Sequence, residues 1–267
     1  MRAVSRLAAK FAKARLEGRA AFVAYLTAGD PNLAATVSLA RALERGGADV
    51  LEIGVPFSDP IADGPTLQRA AARALAAGTD LRGIFAAAQR IRRETSLALV
   101  LFSYANPLAA RGIARAMRQA KASGFDGVLL TDVPPEEAAE FRSPALAVGL
   151  DPVFLVSPTS PARRMRAAAR LSRAFLYVVS RAGTTGERRA LDSSLSATVR
   201  RARRAAGHLP VAVGFGIATS ADARRVAALA DGVVVGSAIV AEAERAGTGA
   251  EAAVEALARK LSGACRR

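Results

Sequence analysis

The stretch "LEIGVPFSDPIADGP", residues 51–65, runs from an apolar segment straight into a turn-forming one that holds three prolines. Side chains alternate along a strand, so Leu51, Ile53 and Val55 share one face and Val50, Glu52 and Gly54 the other. The branched set suits packing beneath helices. Glu52 then points into the opposite compartment, near the C-terminal end of its strand. A parallel β/α barrel gives such a residue a place, because barrel enzymes build their active sites at that end. Taken alone, Glu52 can equally be a structural carboxylate satisfied by its neighbours. Asp59, in "SDP", can equally be a turn residue.

Similar runs recur on both sides of this stretch. They are "AFVAYLTAG" (21–29), "DVLEIGV" (49–55), "LALVLFSYA" (97–105), "GVLLTDV" (127–133), "PVFLVSP" (152–158), "AFLYVVSR" (174–181), "PVAVGFGI" (210–217) and "DGVVVGSAI" (231–239). Amphipathic stretches such as "LAATVSLARALERGG" lie between them, this one closed by a Gly pair that suits a helix C-cap. Eight β/α units in 267 residues predict an α/β fold, a (β/α)8 TIM barrel. No Pro-, Gly- or Ser-rich linker divides the chain, so residues 1–267 read as one barrel domain. The N-terminal "MRAVSRLAAKFAKAR" is Arg-rich and acid-free like a transit peptide. Val4, Leu7, Ala8 and Phe11 nevertheless recur at helical spacing, which favours a short extra helix capping the core. Pro144 is expected to break the helix that contains it or to delay its start.

The net charge of +15 raises the question of nucleic acid. The arginines are spread over several predicted helices, densest in "RRMRAAAR" and "RRARRAAG", with no aromatic residues between them to stack bases. A solvated basic surface is the reading, without a nucleic-acid partner. No apolar run approaches the roughly 20 residues that span a bilayer, so no membrane partner is expected. One cysteine, Cys265, and one histidine, His208, count against a disulfide framework, a Cys-based or multi-His metal site and Ser-His-Asp chemistry. The lone cysteine suits a cytoplasmic location.

Asp59 and Asp63 fall in a loop restrained by prolines and a glycine. An acid on the barrel floor and a carboxylate on an overhanging loop can divide proton-transfer roles, with burial raising the pKa of the inner one. Downstream, "GFG" (214–216) closes the seventh strand, and "GS" (236–237) closes the eighth just before a helix. That pair of loops is the usual phosphate cradle of barrels, although each glycine could serve only a turn. The segment "SRAGTTGERRALDSS" (180–194) has the length and polarity of a lid, with Thr184 and Thr185 supplying short hydroxyls.

With these motifs in view, the chain resembles tryptophan synthase alpha subunits over nearly its whole length. The resemblance is carried by "YLTAGDP" (25–31), "LEIGVPFSDPIADGP" (51–65), "AGT" (77–79), "YANP" (104–107), "DVPPEE" (132–137), "SRAGTTG" (180–186), "VGFGI" (213–217) and "DGVVVGSAIV" (231–240). It implies retro-aldol cleavage of indole-3-glycerol phosphate to indole and glyceraldehyde 3-phosphate, with no cofactor and no metal. It also implies a beta-subunit partner in an alpha2-beta2 assembly. Glu52 matches the family's catalytic glutamate and Asp63 its catalytic aspartate. Tyr25, Tyr104 and Tyr177 match substrate-pocket positions, Thr185 the lid threonine, and Asp132 a supporting aspartate. Gly186, Phe215, Gly216, Gly236 and Ser237 match the phosphate site. Asp59, Pro60, Asn106 and Pro107 are expected to face the partner. The chain departs from the family pattern at Thr184, where valine is expected, and at Ala24, where proline is frequent. The alternatives are a sugar-phosphate isomerase barrel, a free-standing indole-releasing lyase and a non-catalytic activating subunit. The first would place its acid and base on strands 1 and 5.

Overall fold

The computed structural model describes residues 4–179, 192–214 and 216–267. Its strands are β1 (Ala21–Thr27), β2 (Val50–Gly54), β3 (Ala98–Ser103), β4 (Gly127–Leu130), β5 (Asp151–Val153), β6 (Leu155–Val156), β7 (Leu176–Val179), β8 (Val211–Gly214) and β9 (Gly232–Val235). The first six helices are α1 (Arg6–Leu16), α2 (Leu33–Arg45), α3 (Pro65–Ala76), α4 (Leu81–Glu94), α5 (Ala105–Ala109) and α6 (Ile113–Ala122). They are followed by α7 (Ala139–Ala147), α8 (Ala162–Leu171), α9 (Asp192–Ala206), α10 (Ser220–Leu229), α11 (Ser237–Ala246) and α12 (Ala250–Ala264).

All strand pairs are parallel, in the order β5-β4-β3-β2-β1-β9-β8-β7-β6. Only Phe154 separates β5 from β6, so the two ends of that order are consecutive in the chain and the sheet forms a nearly closed TIM barrel. The expected fifth strand is therefore two short pieces. Phe154 donates its N–H to Ser172 Oγ (3.0 Å) instead of to a ladder, and its carbonyl accepts from Tyr177 N–H (3.1 Å). Pairing passes from β4 to β7 at that residue.

The alternation along β2 sorts the core as expected. Leu51, Ile53 and Val55 belong to the apolar layer between barrel and helices, with Ile84, Ile91 and Leu101. Val50 joins Val23, Tyr25, Val100, Phe102, Tyr177 and Val234 inside the barrel. Helix α1 closes the opposite end of that interior through buried Leu7, Phe11 and Ala14, and the Phe11 ring stacks on Phe175 at 4.9 Å. Val4 does not share this face. The helix begins at Arg6 behind the Ser5 cap, which leaves Val4 exposed.

Helix α7 runs through Pro144 without a break, contrary to expectation. The carbonyl that residue 144 would ordinarily bond is that of Glu140, which lies on an exposed turn where water can serve it. The "YANP" segment turns into the short helix α5, with Tyr104 at its N-cap position. Among the described residues, no helix is long and apolar enough to cross a membrane.

Candidate active site

Glu52 reaches the site through strand register. It lies directly across from Tyr25 on β1 and Val100 on β3, all three on inward positions. Two residues along β2, Gly54 makes room for the Tyr25 ring, because a Cβ at residue 54 would run into the phenol. Glu52 is 1% exposed, and its Oε1 has no hydrogen-bond partner among the described residues. Burial alone pushes its pKa up to about 8. At neutral pH this carboxyl holds its proton.

Asp63 arrives from the loop. Residues 55–64 leave β2 with Val55 N–H bonded to the Phe102 carbonyl (2.8 Å) and enter α3 with Pro65 in its first turn, where a missing N–H costs nothing. The loop folds inward so that Asp63 is buried. Tyr104 donates its hydroxyl to Asp63 Oδ2 (3.2 Å) and accepts the Ala62 N–H (2.9 Å), while its ring packs on Phe57 at 5.2 Å. Burial raises the Asp63 pKa to about 6, with the Tyr104 bond working against the rise. At neutral pH Asp63 is mostly ionised. Two carboxyls of ordinary chemistry thus rest in different protonation states, because Glu52 is the more deeply buried and, among the described residues, only Asp63 has a donor.

Both carboxyls line one cavity of about 110 Å³, together with Tyr25, Leu67, Phe102, Tyr177, Ile217 and Val234. Gly216, Gly236, Ser237 and Ala238 line it too. Gly216 has φ +79°, a backbone state that favours glycine. Gly236 caps α11, whose first N–H groups have no carbonyl partner within the helix and whose first turn carries no acid. That arrangement suits an anion.

The structure therefore brings Glu52, Asp63, Tyr25, Tyr177, Gly216, Gly236 and Ser237 together. Tyr104 does not line the cavity; it stands behind Asp63. Asp132 braces this corner by accepting the Ala105 N–H at the start of α5 (2.8 Å). Asp59 is exposed, with its side chain bonded to Ser58 Oγ and its carbonyl to Ile61 N–H, so it does have the turn role its sequence context allows. Pro60 and Pro107 are half-buried and Asn106 is exposed. Thr184, Thr185, Gly186 and Phe215, with residues 180–191 of the expected lid, lie outside the described residues. Sequence reasoning passed over the apolar walls. Phe102 was accessible from the alternation of β3, since it shares the inward face with Val100, but Leu67 and Ile217 depend on how α3 and the segment after β8 fold over the mouth. It also passed over Ile61, which is 83% exposed beside Asp59 and Pro60.

The family model described as tryptophan synthase alpha chain matches residues 11–265. The tryptophan synthase alpha chain of Geobacter sulfurreducens is 51% identical over 242 residues, covering 91% of each chain. That of Geotalea daltonii is 48% identical over 235 residues, covering 88% of this chain and 89% of the relative. Among solved structures, tryptophan synthase subunit alpha from Legionella pneumophila superposes with a TM-score of 0.90 at 36% identity, over 98% of this chain and 99% of the other. A chain of Mycobacterium tuberculosis tryptophan synthase superposes with a TM-score of 0.91 at 35% identity, over 99% and 100%.

Proposed function

Because this chain belongs to the tryptophan synthase alpha chain family, we propose that Glu52 and Asp63 carry the proton chemistry of that family's reaction. The chain is a carbon–carbon lyase of tryptophan biosynthesis, cleaving indole-3-glycerol phosphate to indole and glyceraldehyde 3-phosphate.

The bond to be broken joins indole C3 to a carbinol carbon. Glu52, holding its proton at neutral pH, delivers it to C3. The ring nitrogen then carries positive charge, and the ionised Asp63 accepts its N–H bond and stabilises that charge. The Glu52 carboxylate left behind takes the proton of the carbinol hydroxyl. As it does so the C3–C bond breaks, its electron pair returns to the ring as indole, and the hydroxyl oxygen becomes that of the aldehyde. Glu52 ends with the proton it began with, so one carboxyl serves as acid and then as base. Leu67, Phe102, Ile217 and Val234 offer a flat aromatic ring an apolar slot. The backbone of Gly216, Gly236 and Ser237 receives the phosphate, and Gly186 and Phe215 join them by family resemblance.

One observation supports this reading above the others: a neutral buried carboxyl and an ionised one face the same apolar cavity, with an anion-accepting helix start in its wall. Family membership implies a complex with a beta subunit. We assign the docking face to the barrel's C-terminal end, through Asp59, Pro60, Asn106 and Pro107 with exposed Ile61 at the loop crest, in a cytoplasmic alpha2-beta2 assembly.

The test is indole release from indole-3-glycerol phosphate, assayed with and without beta subunit for the parent, Glu52→Gln and Asp63→Asn. Loss of turnover in both variants is expected. Turnover at the parental rate in both would remove these carboxyls from the mechanism. A parent that releases no indole yet stimulates the beta subunit would be a non-catalytic activator.

A further inference from the structure

We propose that Tyr104 is a positioning residue for Asp63, holding its carboxylate ionised and aimed at the cavity rather than contacting substrate itself. The inference rests on the reading of Asp63 as the group that meets the indole N–H.

A single hydroxyl makes both bonds. Its oxygen accepts the Ala62 N–H at 2.9 Å, which directs its own proton to Asp63 Oδ2 at 3.2 Å. A hydroxyl that donates to a carboxyl favours the charged form of that carboxyl. Among the described residues it is the only donor to the Asp63 side chain, since Gln68 bonds the Asp63 backbone carbonyl instead (2.9 Å). The groups that face Asp63 across the cavity are Glu52 on β2, Tyr25 on β1 and Tyr177 on β7. Asp132 lies beyond Tyr104. Among the described residues no Arg or Lys forms an ion pair with Asp63. Among the described residues, one phenol is therefore what offsets the burial of the Asp63 charge.

Tyr104 is itself held from three sides. Its ring packs on Phe57 at one end of the loop, its hydroxyl grips Ala62 and Asp63 at the other, and the peptide that follows it is pinned by Asp132. A rigid, buried ring is a precise place from which to hold a carboxylate that sits on a loop.

The experiment compares the parent with Tyr104→Phe, as full chains with beta subunit, in kcat and KM across pH. Substrate-free protein is titrated in parallel by infrared difference spectroscopy of its buried carboxyls. Phe keeps the ring and its Phe57 contact. The acid limb of kcat/KM should move up by about one pH unit from near 6, giving roughly a fivefold loss at pH 6 that all but vanishes near pH 7.5, where about 1.3-fold remains. KM should change little, and the infrared titration of Asp63 should shift the same way. An unmoved acid limb, or a loss uniform at every pH, would overturn the positioning role. Asp63→Asn separates the two levels of argument. If it turns over at the parental rate, the reading of Asp63 fails, while the infrared shift still decides whether Tyr104 governs its charge.

Discussion

Glu52 and Asp63 line one cavity under opposite hydrogen-bonding conditions: Glu52 Oε1 has no partner among the described residues, whereas Asp63 Oδ2 accepts the Tyr104 hydroxyl. Burial raises both pKa values, to about 8 and about 6, and so spreads them on either side of neutrality. An acid must be protonated to act and a charge stabiliser must be ionised. The free-enzyme profile of kcat/KM should accordingly rise with an apparent pKa near 6, as Asp63 ionises, and fall near 8, as Glu52 loses its proton. Steady-state kinetics from pH 5 to 9 would read both limbs, and a flat profile across that range would contradict the assignment.

Replacing Glu52 separates catalysis from stability. Glu52→Gln keeps the shape but cannot exchange protons, and should lower turnover by roughly 10²–10⁴ with little effect on substrate affinity. Its effect on stability has the opposite sign. The folded-state pKa of Glu52 lies above its unfolded value, so its contribution is fully present below about pH 4.5 and is lost as pH rises through about 8. A tenfold change in proton affinity corresponds to about 1.4 kcal/mol, so the loss amounts to a few kcal/mol at most. The Gln variant escapes it. Thermal melts should show Glu52→Gln gaining on the parent between about pH 4.5 and 8, with the gap constant above that window; parallel curves for the two proteins would argue against a strained, buried acid.

How far the sequence reached follows from the range of the interactions. Periodicity is local, so the strand runs, the inward face of Glu52 and the outward face of Leu51 and Ile53 could be read directly. The pairing of Tyr25 with Glu52 could not, since it needs the register of β1 on β2. The break at Phe154 depends on Ser172, 18 residues away, and the grip of Tyr104 on Asp63 spans 41. Resemblance assigned Tyr104 to the substrate pocket, whereas the hydroxyl is already occupied by Ala62 and Asp63. Pro144 misled because local rules carry no information about solvent at the Glu140 carbonyl. The sugar-phosphate isomerase alternative gains nothing from the structure, for the carboxyls in the cavity come from β2 and its loop.

The phosphate end can be tested through Gly236. A Cβ at this position would stand 3.3 Å from the Tyr25 Cβ and 3.4 Å from its Cδ1, already a tight fit. The branched side chain of Gly236→Val would press on the Tyr25 ring and cover the first turn of α11, where an anion approaches backbone N–H groups. KM for indole-3-glycerol phosphate should rise by roughly 10-fold or more, with inorganic phosphate losing its protection against thermal unfolding. Unchanged affinity for both ligands would move the phosphate elsewhere.

The last prediction concerns the partner. The loop that carries Asp63 also carries Asp59, Pro60 and Ile61, and the Ile61 side chain, exposed at 83%, is the largest apolar group displayed on that crest. Asp59 stabilises the crest locally through Ser58 and Ile61. Asp63 lies only a few residues further on, fixed by Tyr104. A beta subunit pressing on the crest would therefore restrict the same short loop that positions the catalytic aspartate, and would raise turnover by favouring a state that the free chain seldom visits. Titrating beta subunit into the lyase assay should give saturable stimulation. Asp59→Ala should reduce that stimulation severalfold while leaving the indole release of the isolated chain within about twofold of the parent, because residue 59 is exposed and lines no part of the cavity. Ile61→Ser should weaken the apparent affinity for beta subunit, read as a rightward shift of the titration. If both variants titrate like the parent, the partner docks elsewhere; if the parent itself shows no stimulation by any beta subunit, the chain works as a free-standing lyase.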